Sequence, residues 1–202
     1  MVRIAAAFTA SAFLLCFRTN AEVRDLRIEV SVYNEASVQV HNVELAERQA
    51  GNLLATAGVE VEWVNCDETS CAGESRPGRI THRIMEDRDT PGGEALGSAG
   101  FVGDRGLYAK AFYGNIQREA QQERINVETL LGFAIVHEIG HLLLGRTHSE
   151  EGIMRANWTS RDLRRAAQGQ LRFTADQVAR IGSGVRARSG GPVTVTPIAA
   201  NR

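Results

Sequence analysis

The stretch HEIGHLLLGRTHSEEGIM, residues 137–154, carries three of the five histidines in this chain of 202 residues. His137 and His141 are four residues apart, and residues at that spacing lie on the same face of an α-helix. Both imidazoles can therefore reach one metal ion. Glu138 lies one residue round from this face, where its carboxylate can hold a water molecule beside the ion. The spacing predicts a metal site with an adjacent acidic group.

The surrounding sequence predicts that this motif lies within a long helix. Apolar residues dominate the segment from Asn126 to Gly145. Asparagine is favoured at the N-cap of a helix, and glycine is favoured just after its last turn. Gly132 and Gly140 lie inside the segment, where each costs about 1 kcal/mol of helix stability relative to alanine. We therefore expect both glycines to lie where the helix packs closely against the sheet.

His148 is the candidate for a third metal ligand. It follows Gly145 by three residues, after the point where the chain can turn back towards the helix. Two helical histidines, a third ligand from another segment and a carboxylate beside a bound water form the arrangement that a zinc hydrolase needs. Glu150 and Glu151 are alternative third ligands, because zinc also binds carboxylates. Without a metal, the histidines would belong to an amphipathic helix and form hydrogen bonds in the core.

The whole motif resembles the signature of the metzincin clan of zinc endopeptidases, H-E-x-x-H-x-x-G-x-x-H followed by a turn that contains methionine. The His148–Ser149 pair is similar to the matrixin branch of that clan. One spacing differs, because Gly145 and His148 each lie one residue farther from His141 than in the clan. An added residue rotates the end of a helix by about 100°, so the following loop has to absorb the change. The residues that match the signature are His137, Glu138, His141, His148 and Met154.

The resemblance implies a single catalytic Zn²⁺ ion and a protein or peptide substrate. Glu138 would act as the catalytic base, and Met154 would form an apolar floor beneath the imidazoles. In this clan an edge strand above the active-site helix pairs with the extended substrate. A glycine-rich loop with no role in binding is the alternative for the same segment. The residues expected to bind the substrate are Ala95, Leu96, Gly97, Ser98 and Ala99.

Over most of the remaining chain, alternating apolar and polar residues predict strands, and apolar residues at helical spacing predict helices. We expect an α/β (α+β) fold: one metzincin-like catalytic domain with a mixed twisted sheet, a long active-site helix and a backing helix. A last short helix is expected from Thr174. The predicted strands cover residues 26–34, 59–66, 79–86, about 95–102 and about 106–113, and the backing helix lies within residues 37–58.

The start of the chain predicts export. Arg3 precedes an apolar run from Ile4 to Phe17, which has the length of a signal-peptide core and is too short to span a membrane comfortably. Small residues just before the cut are typical of signal-peptide cleavage sites, so we expect cleavage after Ala21. The alternative to a signal peptide is an N-terminal helix that is buried in the folded protein. The mature protein would be secreted or periplasmic, with no integral membrane segment. We expect a signal peptide over residues 1–21, the zinc metallopeptidase catalytic domain over residues 22–183 and a flexible tail over residues 184–202.

The cysteine content indicates the cellular compartment of the protein, and its charge limits the classes of partner that it can bind. Cys66 and Cys71 are five residues apart in a polar loop. An even pair in an exported chain predicts a disulfide, and two free thiols are the alternative. Without residues 1–21 the chain has 21 basic and 24 acidic side chains, so its charge gives no reason to expect nucleic acid as a partner. We expect a monomer.

Two other functions would use the same residues. A catalytically weak relative could bind peptides with zinc as a structural ion, and the altered spacing before His148 favours this alternative. The intact Glu138 argues against it, because a binding module has no need of that carboxylate. A zinc hydrolase that acts on non-peptide amides shares all of the chemistry. Outside the motif, His41 and His82 are expected at the surface, and Trp158 in the core or in a wall below the pocket.

Overall fold

The computed structural model describes residues 26–67, 71, 78–86 and 93–189. Its strands are β1 (Leu26–Asn34), β2 (Val59–Cys66), β3 (Ile80–Met85), β4 (Gly97–Val102) and β5 (Arg105–Phe112). They form one mixed sheet in the order β2-β1-β3-β5-β4. Strand β4 lies at one edge, antiparallel to β5, and the other neighbouring pairs are parallel. The predicted α/β fold with a mixed sheet is confirmed.

Helices pack against the apolar side of this sheet. They are α1 (Val40–Ala55), α2 (Tyr113–Glu123), α3 (Val127–Leu144), α4 (Ser160–Ala167) and α5 (Ala175–Ser189). Helix α3 is central, because it contacts each of the other four helices as well as β4 and β5. It carries the histidine motif, and its N-cap and C-cap are the predicted Asn126 and Gly145. The motif is therefore held in the middle of the core.

Strand β3 buries alternate residues, as its pattern predicts. In β3, Ile80 and Ile84 are fully buried on the same face. His82 lies between them and is also fully buried, and neither of its ring nitrogens has a hydrogen-bond partner. The expected surface position of His82 is therefore wrong, because the two-residue period of a strand turns it to the core. His41 is exposed as expected.

Helix α3 is apolar on nearly all of its faces. Every residue from Leu130 to Leu143 is buried. Its 18 residues have a mean hydropathy of 1.4, which is enough by length and composition to cross a membrane. Length and composition alone therefore do not distinguish α3 from a membrane-spanning helix. However, 78% of the helix is buried inside the protein, as in a core helix of a globular domain.

The two glycines inside α3 lie at close contacts with other segments. A Cβ atom at Gly132 would lie 2.8 Å from Cβ of Gln49 and 2.9 Å from the carbonyl oxygen of Ala46. The close neighbour of Gly132 is therefore α1. The prediction that this glycine packs against the sheet is wrong. Gly140 faces the side chain of Met154, whose sulfur occupies the space that a Cβ atom would need. Both contacts fix the position of α3 within the core.

Helix α5 continues into the segment that was expected to be a flexible tail. Ile181 and Val185 are buried four residues apart, which is the helical spacing. Gly184 lets α5 approach α3, since a Cβ atom there would overlap the carbonyl group of Leu143. The predicted boundary at residue 184 is therefore wrong for residues 184–189. The rest of that tail, residues 190–202, and the predicted signal peptide lie outside the described residues.

The predicted disulfide is present at the end of the other edge strand. Cys66 is the last residue of β2, and its sulfur is bonded to that of Cys71. The two Cα atoms are 5.5 Å apart, within the range that a disulfide spans. The bond closes a short loop after β2, on the side of the sheet farthest from β4.

Candidate metal centre and active-site cleft

Three histidine side chains converge at the C-terminal part of α3. The Nε2 atom of His141 lies 3.1 Å from Nε2 of His137 and 3.1 Å from Nε2 of His148. Nitrogen atoms of the three rings all lie within 4.8 Å of one another, so that one ion could contact all three. His137 and His141 are buried, whereas His148 is exposed. Neither alternative ligand, Glu150 or Glu151, belongs to this cluster within the described part of the chain.

Hydrogen bonds fix which ring nitrogens carry protons. Nδ1 of His137 lies 2.7 Å from the carbonyl oxygen of Ile153, and Nδ1 of His141 lies 3.0 Å from that of Gly145. A carbonyl oxygen can only accept, so each Nδ1–H donates and each Nε2 keeps its lone pair. Burial lowers the pKa of His137 to about 4 and also lowers that of His141. Both rings are therefore neutral near pH 7, and a shared cation would satisfy the facing lone pairs. Three such nitrogens suit zinc.

The loop after α3 absorbs the additional residue in the motif. Gly145 ends the helix with a φ of 98°, and its N–H donates to the carbonyl oxygen of His141. The N–H of Ser149 donates to the carbonyl oxygen of Met154 at 2.9 Å. The Ser149 hydroxyl donates to the carbonyl oxygen of Glu151 at 2.7 Å and accepts from Nε2 of Gln177 at 2.9 Å. These bonds hold the residue next to His148.

Met154 lies in the turn that returns beneath α3. It is 1% exposed, and its side chain fills the space left by Gly140. The N–H of Ile153 donates to the carbonyl oxygen of Arg172 at 3.0 Å, so the turn is tied to the chain before α5. Gly152 adopts a φ of 77°, a conformation that favours glycine. Met154 thus packs beneath the helix that carries two of the histidines.

Glu138 lies between α3 and the edge strand β4. It is 6% exposed, and burial raises the pKa of its carboxyl group to about 8. A nearby cation would favour the ionised form. Gly97 passes directly over it, because a Cβ atom at Gly97 would lie 2.7 Å from both Cγ and Oε1 of Glu138. The absence of a side chain at this position lets the edge strand approach the acidic group.

A cleft with a volume of about 680 Å³ contains the three histidines and Glu138. All five residues predicted to bind substrate line it. Only the last three of them belong to β4, since the strand begins at Gly97. Trp158 lines the cleft as well, and its ring lies 5.5 Å from that of His137. The expectation of a wall below the pocket therefore fits Trp158, whose Nε1 also donates to the carbonyl oxygen of Ile153 at 3.1 Å.

The hydrogen-bond pattern of β4 determines which of its backbone groups face the open edge. The N–H of Phe112 donates to the carbonyl oxygen of Leu96 at 2.9 Å. In an antiparallel pair alternate residues bond to the partner, so Gly97 and Ala99 direct their N–H and C=O groups outward. The carbonyl oxygen of Ala95 also faces away from β5 but accepts from Nδ2 of Asn115 at 2.7 Å. Gly97 and Ala99 therefore offer the free groups.

Three residues at the site carry no motif that would reveal them in the sequence. Asn115 holds the chain before β4 by donating to the carbonyl oxygens of Gly93 and Ala95. Glu119 lines the cleft from α2. Gln177 forms a reciprocal cap with Thr174 at the start of α5. The Thr-x-x-Gln spacing predicts this cap, but nothing local predicts that Gln177 also reaches Ser149.

Comparison with known proteins supports the fold. No protein-family model and no curated protein matches this chain. Metalloproteinase-II from Bacteroides fragilis matches with a TM-score of 0.54 and 14% identity over 80% of this chain and 54% of that chain. Archaemetzincin from Methanopyrus kandleri matches with a TM-score of 0.50 and 14% identity over 81% of this chain and 98% of that chain. This chain thus matches about half the length of the Bacteroides protein. The likeness to both shows that the chain shares the fold of these two proteins.

Proposed function

We propose that this protein is a zinc-dependent endopeptidase with one catalytic ion. The observation that carries the proposal is the convergence of three imidazole Nε2 atoms, two of which have their lone pairs fixed by Nδ1 hydrogen bonds. Three protein ligands leave one zinc position open, as catalytic sites require. The likeness to two proteins named as a metalloproteinase and an archaemetzincin supports the same class of activity.

The residues around this centre have distinct proposed roles. When bound, zinc supplies the Lewis acidity that lets water attack a carbonyl group near neutral pH. Glu138 accepts the proton that the attacking water loses and passes it to the leaving nitrogen. The carbonyl groups of Ile153 and Gly145 orient His137 and His141 through their Nδ1 atoms. Such partners also make the ligand nitrogens more basic.

The substrate is an extended polypeptide segment that pairs with β4. The outward N–H and C=O groups of Gly97 and Ala99 offer backbone hydrogen bonds of the kind that add a strand to a sheet edge. Small side chains from Gly97 to Gly100 leave room for another backbone. Because Gly97 lies directly over Glu138, a segment paired there brings a peptide bond close to the acidic group.

A Glu138→Gln variant tests the proposed activity. Zinc-loaded full-length protein is assayed for cleavage of a denatured protein, and zinc content is measured on the same sample. General-base catalysis contributes about 10²–10⁴-fold, so we expect a loss of that size with zinc content unchanged. Glu150→Gln, an exposed carboxyl group outside the histidine cluster, is the matched control and should keep full activity. Wild-type rates in Glu138→Gln would refute the mechanism.

Export of the protein is part of the proposal. A disulfide between Cys66 and Cys71 suits an oxidising compartment. The signal-peptide pattern at the start of the chain points the same way. Intact-mass measurement of protein recovered outside the cytoplasm should give a chain that begins at Glu22. Recovery of the uncleaved chain in the cytoplasm alone would contradict export.

A further inference from the structure

The end of the cleft that is bordered by α2 is acidic. Glu119 and Glu94 both line it, and Glu123 lies one helical turn beyond Glu119 on α2. Burial and the neighbouring carboxylates of Glu123 and Glu94 raise the pKa of Glu119. Within the described residues, the Glu119 carboxylate forms no hydrogen bond or ion pair. Its charge is therefore open to a partner that enters the cleft.

The cations of the cleft do not neutralise this end. Arg155 lines the cleft but is paired with Asp162 at 3.3 Å. Arg146 lies over the ring of Phe101, 4.2 Å from its centroid, and donates to the carbonyl oxygen of Gly103. These contacts hold both guanidinium groups in place. Among the described residues, neither arginine that lines the cleft compensates the acidic wall at α2.

Apolar walls connect the metal centre to this acidic end. Ala134 precedes Glu138 by one turn of α3, about 6 Å along the helix axis, and lines the same cleft. Leu163 and the ring of Trp158 complete the wall. A long side chain with an apolar stem and a charged head fits such a passage. A second observation points to a ligand in the same cleft: at its metal-centre end, Glu138 is 6% exposed and has no hydrogen-bond partner among the described residues.

We propose that Glu119 is a specificity-determining residue that selects peptides with lysine or arginine at one fixed position beside the bond that is cut. This inference rests on the proposed peptidase function and names its substrate class. The aliphatic stem of the substrate residue packs along Ala134 and Leu163, and its cationic head meets the carboxylate of Glu119. Glu94 adds negative potential at the rim. A neutral or anionic residue at that position leaves the acidic wall without a partner.

The test is cleavage of a synthetic library of random peptides by the zinc-loaded full-length protein, with cleavage sites read by mass spectrometry. We expect lysine and arginine to be enriched about tenfold over aspartate and glutamate at one position, which corresponds to about 1.4 kcal/mol. Glu119→Gln should remove most of this enrichment. Glu119→Lys should reverse it in favour of acidic residues, which loss of structure alone would not do.

A matched control separates this effect from a general change in charge. Glu44→Gln alters an exposed carboxyl group on α1, outside the cleft, and should keep the full enrichment. Glu119→Gln removes a repulsion between like charges, so its thermal midpoint should not fall. Cleavage without cationic enrichment, or enrichment that survives in Glu119→Gln, would overturn the role of Glu119 while leaving the peptidase function intact.

Binding decides the same question independently of catalysis. Fluorescence anisotropy compares labelled lysine-containing and glutamate-containing peptides on zinc-loaded Glu138→Gln protein, with and without Glu119→Gln. Tighter binding of the lysine peptide that is lost with Glu119→Gln supports the inference. Equal binding of both peptides overturns it. Cationic preference in binding combined with no cleavage of any peptide by the wild type would refute the peptidase function alone.

Discussion

The helix half and the loop half of the metal centre are built in different ways. The helix half, His137 and His141, lies on α3, where the exposed fractions are 8% and 6%. The loop half is the segment of residues 145–155, which carries His148 at the surface. In the helix half, backbone geometry and the surrounding core set the ligand spacing. In the loop half, a few hydrogen bonds around Ser149 and one buried methionine set the position of the ligand.

This difference explains how the site tolerates an unusual spacing. An added residue inside α3 would turn a ligand away by about 100° and move it out of the site. The same addition at the helix end is taken up by Gly145, whose φ of 98° lets the chain leave the helix. The loop half then depends on hydrogen bonds that contribute about 0.5–1.5 kcal/mol each. It is therefore the more easily weakened of the two.

The largest expected effect concerns the contact that joins the two halves. Met154→Ala should lower the free energy of unfolding by about 2–5 kcal/mol, as for other buried methionines. Gly140→Ala would normally gain up to about 1 kcal/mol in a helix, but the added methyl group meets the Met154 sulfur. We expect Gly140→Ala to be destabilising alone and stabilising when combined with Met154→Ala.

Urea unfolding of the four metal-free proteins measures this coupling as a double-mutant cycle. The two substitutions should depart from additivity by more than about 0.5 kcal/mol. Gly169→Ala is not a suitable control because of its positive φ. Ala167→Gly, at an exposed position in the last turn of α4, serves to calibrate the alanine–glycine difference. Strict additivity of Gly140→Ala and Met154→Ala would show that the two halves are not coupled at this contact.

The next effect separates a core histidine from the metal ligands. Burial lowers the pKa of His82 from 6.5 to about 3, so between these values the unfolded chain binds a proton that the folded chain does not. The contribution of neutral His82 to stability is therefore complete above pH 6.5 and decreases as the pH falls towards 3. At about 1.4 kcal/mol per pH unit, lowering the pH from 7 to 5 should cost the wild type about 2 kcal/mol more than His82→Leu.

Chemical unfolding of the metal-free proteins at the two pH values gives this difference. All other groups are the same in both proteins, so their contributions cancel in the comparison. His41→Leu, at an exposed position on α1, should retain the pH dependence of the wild type. If His82→Leu retains it as well, the buried ring is not the source of the acid sensitivity.

The smallest expected effect lies in the loop half. Gln177 donates to the Ser149 hydroxyl at 2.9 Å and is 5% exposed. Residues that support metal ligands typically change metal affinity by 10–100-fold when mutated. Because Gln177 acts on His148 only through Ser149, we expect Gln177→Ala to raise the Kd for zinc by about tenfold. Competition with a chromophoric chelator measures this change.

Two variants sharpen the result for Gln177. Gln168→Ala removes an exposed glutamine at the end of α4 and should leave the Kd for zinc unchanged. Gln177→Asn shortens the side chain and should not restore the contact with Ser149. Zinc affinity equal to that of the wild type in Gln177→Ala would mean that the loop half holds His148 without this bond.

The difference between the halves also sets how much could be predicted from the sequence. The helix half was predictable, because i and i+4 spacing on an apolar helix is local information, and the strands were predictable from their alternation. His148 was predicted by its distance from Gly145, and its place in the cluster is as expected. Its supports were not predictable, because Gln177 lies 28 residues from Ser149 in the chain.

Two further wrong predictions, for α5 and for Gly132, have the same non-local cause. Glycines in α5 weakened the helical pattern, yet Gly184 is what lets that helix pack against α3. The neighbour of Gly132 is α1 rather than the sheet, which depends on how two helices cross. For His82 the cause is local: its polarity predicts a surface position, whereas the alternation of β3 places it between two buried isoleucines. Strand period is therefore a better guide than polarity for that position.

The most direct test of the three-histidine centre is zinc stoichiometry and affinity on the purified chain. Wild type, His148→Ala and a Glu150→Gln/Glu151→Gln double variant are compared side by side. We expect one zinc per chain in the wild type and in the double variant, and a loss of affinity of more than about 100-fold in His148→Ala, since even supporting residues alter affinity by 10–100-fold. Zinc retained at wild-type affinity in His148→Ala, or no zinc in the reconstituted wild type, would contradict the three-histidine centre.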